Sequence, residues 1–119
     1  MTETYIHPSE EQLARIRDIE LDGPVIMINL LRFDPDGGAE AYREYGQTAG
    51  PHLARVGATL RYAGDVAATF IGGDEWDEAL LVEYPSKQAF LDMTSAPDYP
   101  SDIRDGALTD SRLYCTVER

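Results

Sequence analysis

The chain has 119 residues, of which 43% are apolar and 27% are charged, and its formal net charge is −12. These values are typical of one globular domain and exclude disordered and fibrous proteins. Its ten Lys and Arg residues are scattered, so we expect no nucleic-acid partner, because such a partner requires a basic patch. No apolar run reaches the roughly 18 residues that a membrane-spanning helix needs, so we expect a cytoplasmic protein without a membrane partner.

The first predicted element is a short helix that begins after Ser9. Ser9 and Gln12 have the spacing of a capping box, in which each side chain bonds the backbone amide of the other residue. Apolar residues then recur at helical spacing as far as Ile19, and Gly23-Pro24 ends the pattern. The sequence therefore predicts an N-terminal helix that precedes the first strand.

The segment GPVIMINLLRF, residues 23–33, predicts a strand that is buried on both faces. Its apolar run is nearly continuous and rich in branched residues, which is typical of such strands. Asn29 and Arg32 interrupt the run. Because strand side chains alternate between faces, these two residues should lie on opposite sides of the sheet.

An amphipathic helix is predicted from Ala39 to Val56, where apolar residues step by three or four positions. Gly46 lies in the middle of this pattern, where a glycine costs about 1 kcal/mol relative to alanine. We therefore expect Gly46 to permit the close approach of backbone or ligand. Pro51 should kink the helix or divide it.

The second half of the chain predicts a hairpin, a helix and a last strand. The hairpin strands are expected at 58–71 and 76–84, with a bulge or bend at Gly64 and a turn at GGDE. Ser86 should cap a helix over KQAFLDMTS. A loop with a short helical turn then leads to a strand at about 112–117.

The element order after the first helix is strand, helix, strand, strand, helix, strand. This order predicts an α+β ferredoxin-like fold, a split βαβ unit with a four-stranded antiparallel sheet and two helices on one face. The strands do not alternate cleanly with polar residues, so the second face should be buried against a second copy of the chain. We therefore expect a homodimer whose protomer has an N-terminal helical extension, 1–22, and a ferredoxin-like domain, 23–119.

Four blocks of sequence resemble, in order and spacing, the family catalogued as domain of unknown function 1330. The blocks are VIMINLLRF, AYREYGQTAGPHLARVGATL, WDEALLVEYPSKQAFLDM and DYPSDIRDGALTDSRL, and they span roughly residues 24–114. This resemblance implies a dimeric α/β barrel in which two sheets meet face to face. It also implies that ligands lie between the sheet and the first helix of the fold. It implies no particular reaction and no catalytic residues.

Polar and aromatic side chains near the predicted sheet are the candidate site residues. Each also has a structural interpretation, in which the amide bonds the backbone, the tyrosines belong to the core, and Arg32 forms an ion pair with Glu83 or Asp110. In the functional interpretation, the amide orients a carbonyl, an arginine binds an anionic group, and a tyrosine or histidine moves a proton. The candidate ligand-binding residues are Asn29, Arg32, Tyr42, Gly46, Glu83 and Arg112, and the candidate catalytic residues are Tyr45 and His52.

Motifs for bound cofactors and metals are missing from the sequence. It has no phosphate-binding glycine loop, no dinucleotide fingerprint and no paired zinc motif, so we expect no cofactor and no metal. Our leading hypothesis is a homodimer that binds a small carbonyl-bearing or aromatic metabolite, with cofactor-independent isomerase or monooxygenase-like chemistry. The alternative is a non-catalytic dimeric binding or regulatory module.

Overall fold

A computed structural model describes residues 3–119, so the first two residues of the predicted extension lie outside the described part. The described residues form four helices and four strands. The helices are α1 (Glu10–Asp18), α2 (Gly38–Arg55), α3 (Lys87–Ser95) and α4 (Ser101–Ala107). The strands are β1 (Val25–Phe33), β2 (Thr59–Asp65), β3 (Glu78–Tyr84) and β4 (Leu108–Thr116).

The strands form one antiparallel sheet in the order β2-β3-β1-β4. This order confirms the predicted ferredoxin-like fold, in which the first strand occupies a central position between the third and the fourth. Asn29 stands opposite Leu80 on β3 and Leu113 on β4, whereas Arg32 stands opposite Asp110. The register therefore confirms that Asn29 and Arg32 lie on opposite sides of the sheet.

The core lies between the sheet and its helices. Val25 and Met27 of β1 pack with Val82 and Tyr84 of β3 and with Met93 of α3. We call this side of the sheet the helix side. The other side, which we call the open face, is not covered by any helix of residues 3–119 and carries Ile28, Leu30, Tyr62, Leu81 and Tyr114.

The N-terminal segment also packs on the helix side. The predicted capping box is confirmed, since the Ser9 side chain accepts from the Gln12 amide and Gln12 Oε1 accepts from the Ser9 amide. At the other end of α1, Lys87 Nζ donates to the carbonyl oxygens of Ile16 at 3.0 Å and Arg17 at 2.6 Å. A cation on the free carbonyls of a helix C-terminus is favourable because the helix dipole is negative there.

The hairpin differs from its prediction. β2 ends at Asp65 rather than near residue 71, because its partner β3 begins only at Glu78 and the pairing closes with one more backbone bond, from the Val66 amide to the Asp77 carbonyl oxygen. The bulge lies between Leu60 and Tyr62, not at Gly64. The Tyr62 ring lies over Gly64 on the open face, where a Cβ atom would collide with it.

α2 and β4 also differ from their predictions. α2 runs undivided through Pro51, which is exposed. β4 begins at Leu108, four residues before the predicted start, because Phe33 at the end of β1 pairs with Leu108. Ser86 caps α3 as predicted, with its hydroxyl accepting from the Ala89 amide at 3.0 Å. Within residues 3–119, no helix is both long and apolar enough to cross a membrane.

Candidate functional site

A cavity of about 1500 Å³ lies between the helix side of the sheet and the helices. All eight elements and the segment before α1 contribute to its wall. Most of the wall is apolar, and a few polar groups face the space within it. This combination is typical of small-molecule sites, in which apolar walls bury the ligand and a few polar groups orient it.

Asn29 lies in the floor of the cavity, on the central strand β1. Its side chain is buried, and its Nδ2 donates to the Met27 carbonyl oxygen at 3.5 Å, which is long for such a bond. Its amide oxygen accepts no hydrogen bond from any group of residues 3–119. Since no fully buried side-chain polar atom of residues 3–119 lacks a hydrogen-bond partner, this oxygen is accessible from the cavity, and a ligand there can donate to it.

Three tyrosines form a cluster on the opposite wall. Tyr42 and Tyr45 lie on α2 with ring centroids 5.2 Å apart, and Tyr99 meets Tyr45 edge-on at 6.2 Å. The Tyr45 and Tyr99 hydroxyls are hydrogen-bonded to each other. The second proton of this pair is free to bond an oxygen atom in the cavity.

Burial controls the ionisation of these phenols. It raises the pKa of Tyr42 to about 12, and it also raises the pKa of Tyr99 above the ordinary value. For Tyr45, burial and the neighbouring Tyr99 together raise the pKa. The three groups are therefore neutral near pH 7, and they act as hydrogen-bond donors rather than as bases.

The other two α2 candidates occupy different positions. Gly46 lines the cavity, but a Cβ atom there would meet nothing within 4 Å, so no close approach within residues 3–119 explains this glycine. His52 is buried and packs edge-on against Tyr99 at 5.9 Å, and among the described residues it is not part of the cavity wall. His52 is therefore neither a surface residue nor a direct wall residue.

Arg32 and Arg112 are held together by Asp110, which is 1% exposed. Arg32 Nη1 lies 3.5 Å from Asp110 Oδ2, and Arg112 Nη1 lies 2.7 Å from Oδ1. Arg32 also donates twice to the Glu75 carbonyl oxygen, at 3.0 and 2.6 Å. Both guanidinium carbons lie near the Trp76 ring, at 5.2 and 5.0 Å from its centroid. The predicted ion pair between Arg32 and Asp110 is confirmed.

The surroundings of Asp110 favour its charged form. Burial opposes ionisation, but the Tyr5 amide at 2.8 Å, the Arg112 guanidinium and the Ser111 amide at 2.9 Å all donate to Oδ1. These donors hold the pKa of the Asp110 carboxyl below its ordinary value. The group thus ties the N-terminal segment to β4 and leaves Arg32 and Arg112 paired.

Glu83 lies on the open face, because it pairs with Ile26 of β1. Its carboxylate forms an ion pair with Arg61, a residue in the bulge of β2. The predicted alternative in which Arg32 pairs with Glu83 is therefore wrong. The structure brings Asn29, Tyr42, Tyr45 and Gly46 together in one cavity and places Arg32 and Glu83 on the opposite side of the sheet.

Glu78, Tyr99 and Arg104 are among the cavity residues that were missed from the sequence. Burial, followed by the nearby Asp65 charge, raises the pKa of Glu78. The Glu78 side chain has no ion pair or hydrogen bond within residues 3–119. An aromatic residue between two prolines was the available signal for Tyr99, and Arg104 belongs to the predicted helical turn. In the same described residues, no group of three or more His, Cys, Asp or Glu side chains is placed to hold a metal ion.

Solved structures similar to this chain come from proteins of unknown function. The RPA0582 protein from Rhodopseudomonas palustris is 35% identical, with a TM-score of 0.87 over 95% of each chain. Its methylated form is also 35% identical, with a TM-score of 0.88 over 98% of this chain and 96% of that one. A dimeric ferredoxin-like protein of unknown function from Thermobifida fusca is 14% identical, with a TM-score of 0.56 over 85% of this chain and 96% of its own, which shows the fold alone.

No protein-family model and no curated protein matches the chain. The resemblance to the family of domain of unknown function 1330 is therefore not confirmed and stays a prediction.

Proposed function

Since the chain belongs to the same family as the RPA0582 protein of Rhodopseudomonas palustris, whose function is unknown, we propose a function from the cavity: it binds a small carbonyl-bearing or aromatic metabolite. The observation that carries this proposal is the convergence of an under-bonded amide and a hydroxyl pair inside a largely apolar cavity. The volume of about 1500 Å³ is ample for such a ligand and accompanying water.

The polar groups suit a carbonyl oxygen. The Asn29 amide both donates and accepts, while the Tyr45–Tyr99 pair has one proton to donate. Neutral donors that face a carbonyl oxygen inside an apolar cavity also stabilise negative charge that develops there. This feature supports cofactor-independent isomerase chemistry, in which a proton moves between carbon atoms next to a carbonyl.

Glu78 is the proton acceptor in this proposal. It lines the same cavity, and partial burial raises its pKa, which makes the carboxylate a stronger proton acceptor. The carboxylate would remove a proton from the carbon beside the carbonyl and return it to another carbon, so the ligand is rearranged without net loss of atoms.

We also propose that the working form is a homodimer. The open face carries Ile28, Leu30 and Leu81 in its middle, with Tyr62 and Tyr114 at its borders. Apolar surface of this kind is stabilised by burial against another sheet. The Thermobifida fusca protein of the same fold is described as dimeric, which supports this arrangement.

A thermal-shift screen with small phenols and aromatic ketones tests the binding proposal. A compound present at 100 times its dissociation constant should stabilise the protein by about 2.7 kcal/mol. Tyr45→Phe and Asn29→Leu should weaken that compound about tenfold, because each removes a hydrogen bond worth roughly 1.4 kcal/mol in the cavity.

Tyr62→Phe is the matched control, since it removes an exposed hydroxyl on the open face. It should leave the affinity unchanged. Either a complete lack of stabilisation across the screen or unchanged affinity in both cavity variants would contradict the proposal.

A further inference from the structure

Arg104 is a partly buried guanidinium in the cavity wall, on α4. It makes no ion pair with a carboxylate of residues 3–119. Its Nη1 donates to the Ile6 carbonyl oxygen at 3.5 Å, and the guanidinium also interacts with the Tyr42 hydroxyl, whose pKa it lowers. A guanidinium has five N–H donors, and partial burial removes some of the water that would otherwise satisfy them. Arg104 therefore lines the cavity with more N–H donors than these contacts use.

The other cavity arginines differ from Arg104. Arg112 is paired with Asp110 at 2.7 Å, so its charge is already balanced. Arg17 and Arg43 are exposed, so water solvates them. Arg104 is therefore the cavity cation that is both partly buried and without a carboxylate in the described part of the chain.

Arg104 also lies near the tyrosine cluster. Burial is the main cause of the raised pKa of Tyr42, Tyr45 and Tyr99, and in each case the Arg104 charge acts in the opposite direction. Arg104 lines the same cavity as these three tyrosines. A ligand that contacts the hydroxyl pair is thus within reach of Arg104.

We propose that Arg104 binds a carboxylate of the ligand, so that the metabolite is a small aromatic or carbonyl-bearing carboxylic acid. This inference rests on the proposed binding function of the same cavity. A guanidinium matches a carboxylate with two parallel N–H donors, which gives both affinity and a fixed orientation. The net charge of −12 disfavours anions near the protein, so an acid needs a local cation of this kind.

Glu78 restricts how such an acid can lie. Glu78 forms no ion pair within residues 3–119. The other carboxylate of the cavity wall, Asp105, has its Oδ2 atom 3.2 Å from Nε2 of His7. Like charges repel, so an acid placed with its carboxylate towards Glu78 is disfavoured. The carboxylate therefore points to Arg104, and the remainder of the molecule extends towards Asn29 and Glu78.

Isothermal titration with matched acids and amides tests the inference. The probes are phenylpyruvate and 4-hydroxybenzoate, each compared with its neutral primary amide. The unchanged protein should bind each acid at least tenfold more tightly than its amide. Arg104→Gln should remove this preference and leave the affinity for the amides within about twofold. Arg104→Lys, which keeps the charge but loses the two-donor geometry, should retain part of the preference.

Arg15→Gln, at an exposed arginine of α1 that is not part of the cavity wall, is the control and should keep the full preference for acids. Equal binding of acids and amides by the unchanged protein, or an undiminished preference in both Arg104 variants, would overturn the role of Arg104 while leaving the proposed binding function in place. A lack of binding by all four probes, together with a failed phenol and ketone screen, would overturn both.

Discussion

Asp110 shows how one buried carboxylate organises its surroundings. It accepts from the Tyr5 amide and pairs with Arg32 and Arg112, which lie near the Trp76 ring. The segment before α1, the end of β1 and β4 are therefore joined at one side chain, and Trp76 contacts the two arginines that it holds. This arrangement removes both arginines from the set of groups that are free to bind an anion.

Replacing Asp110 should cost much of the protein's stability. Asp110→Asn leaves two partly buried guanidinium groups without a counter-ion, and breaking a buried ion pair in this way costs about 3 kcal/mol. Urea unfolding measures this free-energy difference. Asp98→Asn, which removes an exposed partner of Arg55 at 3.8 Å, is the control and should cost less than about 1 kcal/mol. Equal losses in the two variants would contradict this role for Asp110.

Acid unfolding should report on the same carboxylate. Because the folded-state pKa of Asp110 lies below its ordinary value, its contribution to the free energy of unfolding is present above about pH 4. The contribution is lost as the pH falls through the folded-state pKa. Asp110→Asn should therefore flatten the fall in stability below about pH 4. If the variant and the parent lose stability in parallel over that range, this carboxyl does not carry the effect.

Sequence patterns predicted the placement of some site residues and missed others. Strand alternation is a property of the backbone, so the separation of Asn29 from Arg32 followed directly from their spacing. Tyr99 lies between two prolines and Arg104 lies just after them, in a segment with no regular period, so the positions of both depend on tertiary packing, including that of α4 on α2. Residues brought to the cavity by tertiary packing leave no periodic signal in the sequence.

At the scale of the elements, α2 persists through Pro51 because the proline lies on an exposed part of the helix. A proline removes one helical hydrogen bond, which here would join its nitrogen to the Gln47 carbonyl oxygen. Gln47 and Pro51 are both exposed, so water can bond that carbonyl. The buried residues Tyr45 and Ala49 hold the helix on the core. Packing against the core thus outweighs the tendency of proline to break a helix, from which the sequence predicted a kink or a division at Pro51.

The end of β2 and the start of β4 were also predicted wrongly, because the bounds of a strand depend on its partner. The apolar pattern continued past Asp65, but a strand also needs a hydrogen-bonding partner. The residues after Asp65 instead form an exposed loop, in which Phe70 and Ile71 are 97% and 86% exposed. Conversely, β4 starts at Leu108 because β1 offers it a partner there.

Two glycines of α2 should respond oppositely to alanine. A Cβ atom at Gly38 would stand 2.5 Å from the Ala107 carbonyl oxygen, so α2 and α4 would have to separate. Gly38→Ala should therefore destabilise the protein by about 1–3 kcal/mol. Gly46→Ala meets open space and should stabilise the helix by about 0.5–1 kcal/mol. Thermal unfolding of the two variants measures both effects. Stabilisation by Gly38→Ala would show that the α2–α4 contact is loose.

At the scale of the whole molecule, the two sides of the sheet have different roles. The helix side carries the core and the cavity, and the segment before α1 adds to its wall. The open face carries apolar side chains that no described helix covers. A second copy that packs on this face would leave both cavities free, so dimer formation and ligand binding would not compete for surface.

Two residues of β2 with nearly equal exposure allow a test of which side of the sheet forms the dimer interface. Tyr62 is 55% exposed on the open face, and Leu60 is 56% exposed on the helix side. We expect the unchanged protein to scatter light as a dimer at micromolar concentration. Tyr62→Glu should convert it to a monomer, because a charge buried between two apolar sheets without a partner is strongly disfavoured. Leu60→Glu should remain dimeric. A monomeric unchanged protein, or a dimer that persists in Tyr62→Glu and dissociates in Leu60→Glu, would place the interface elsewhere.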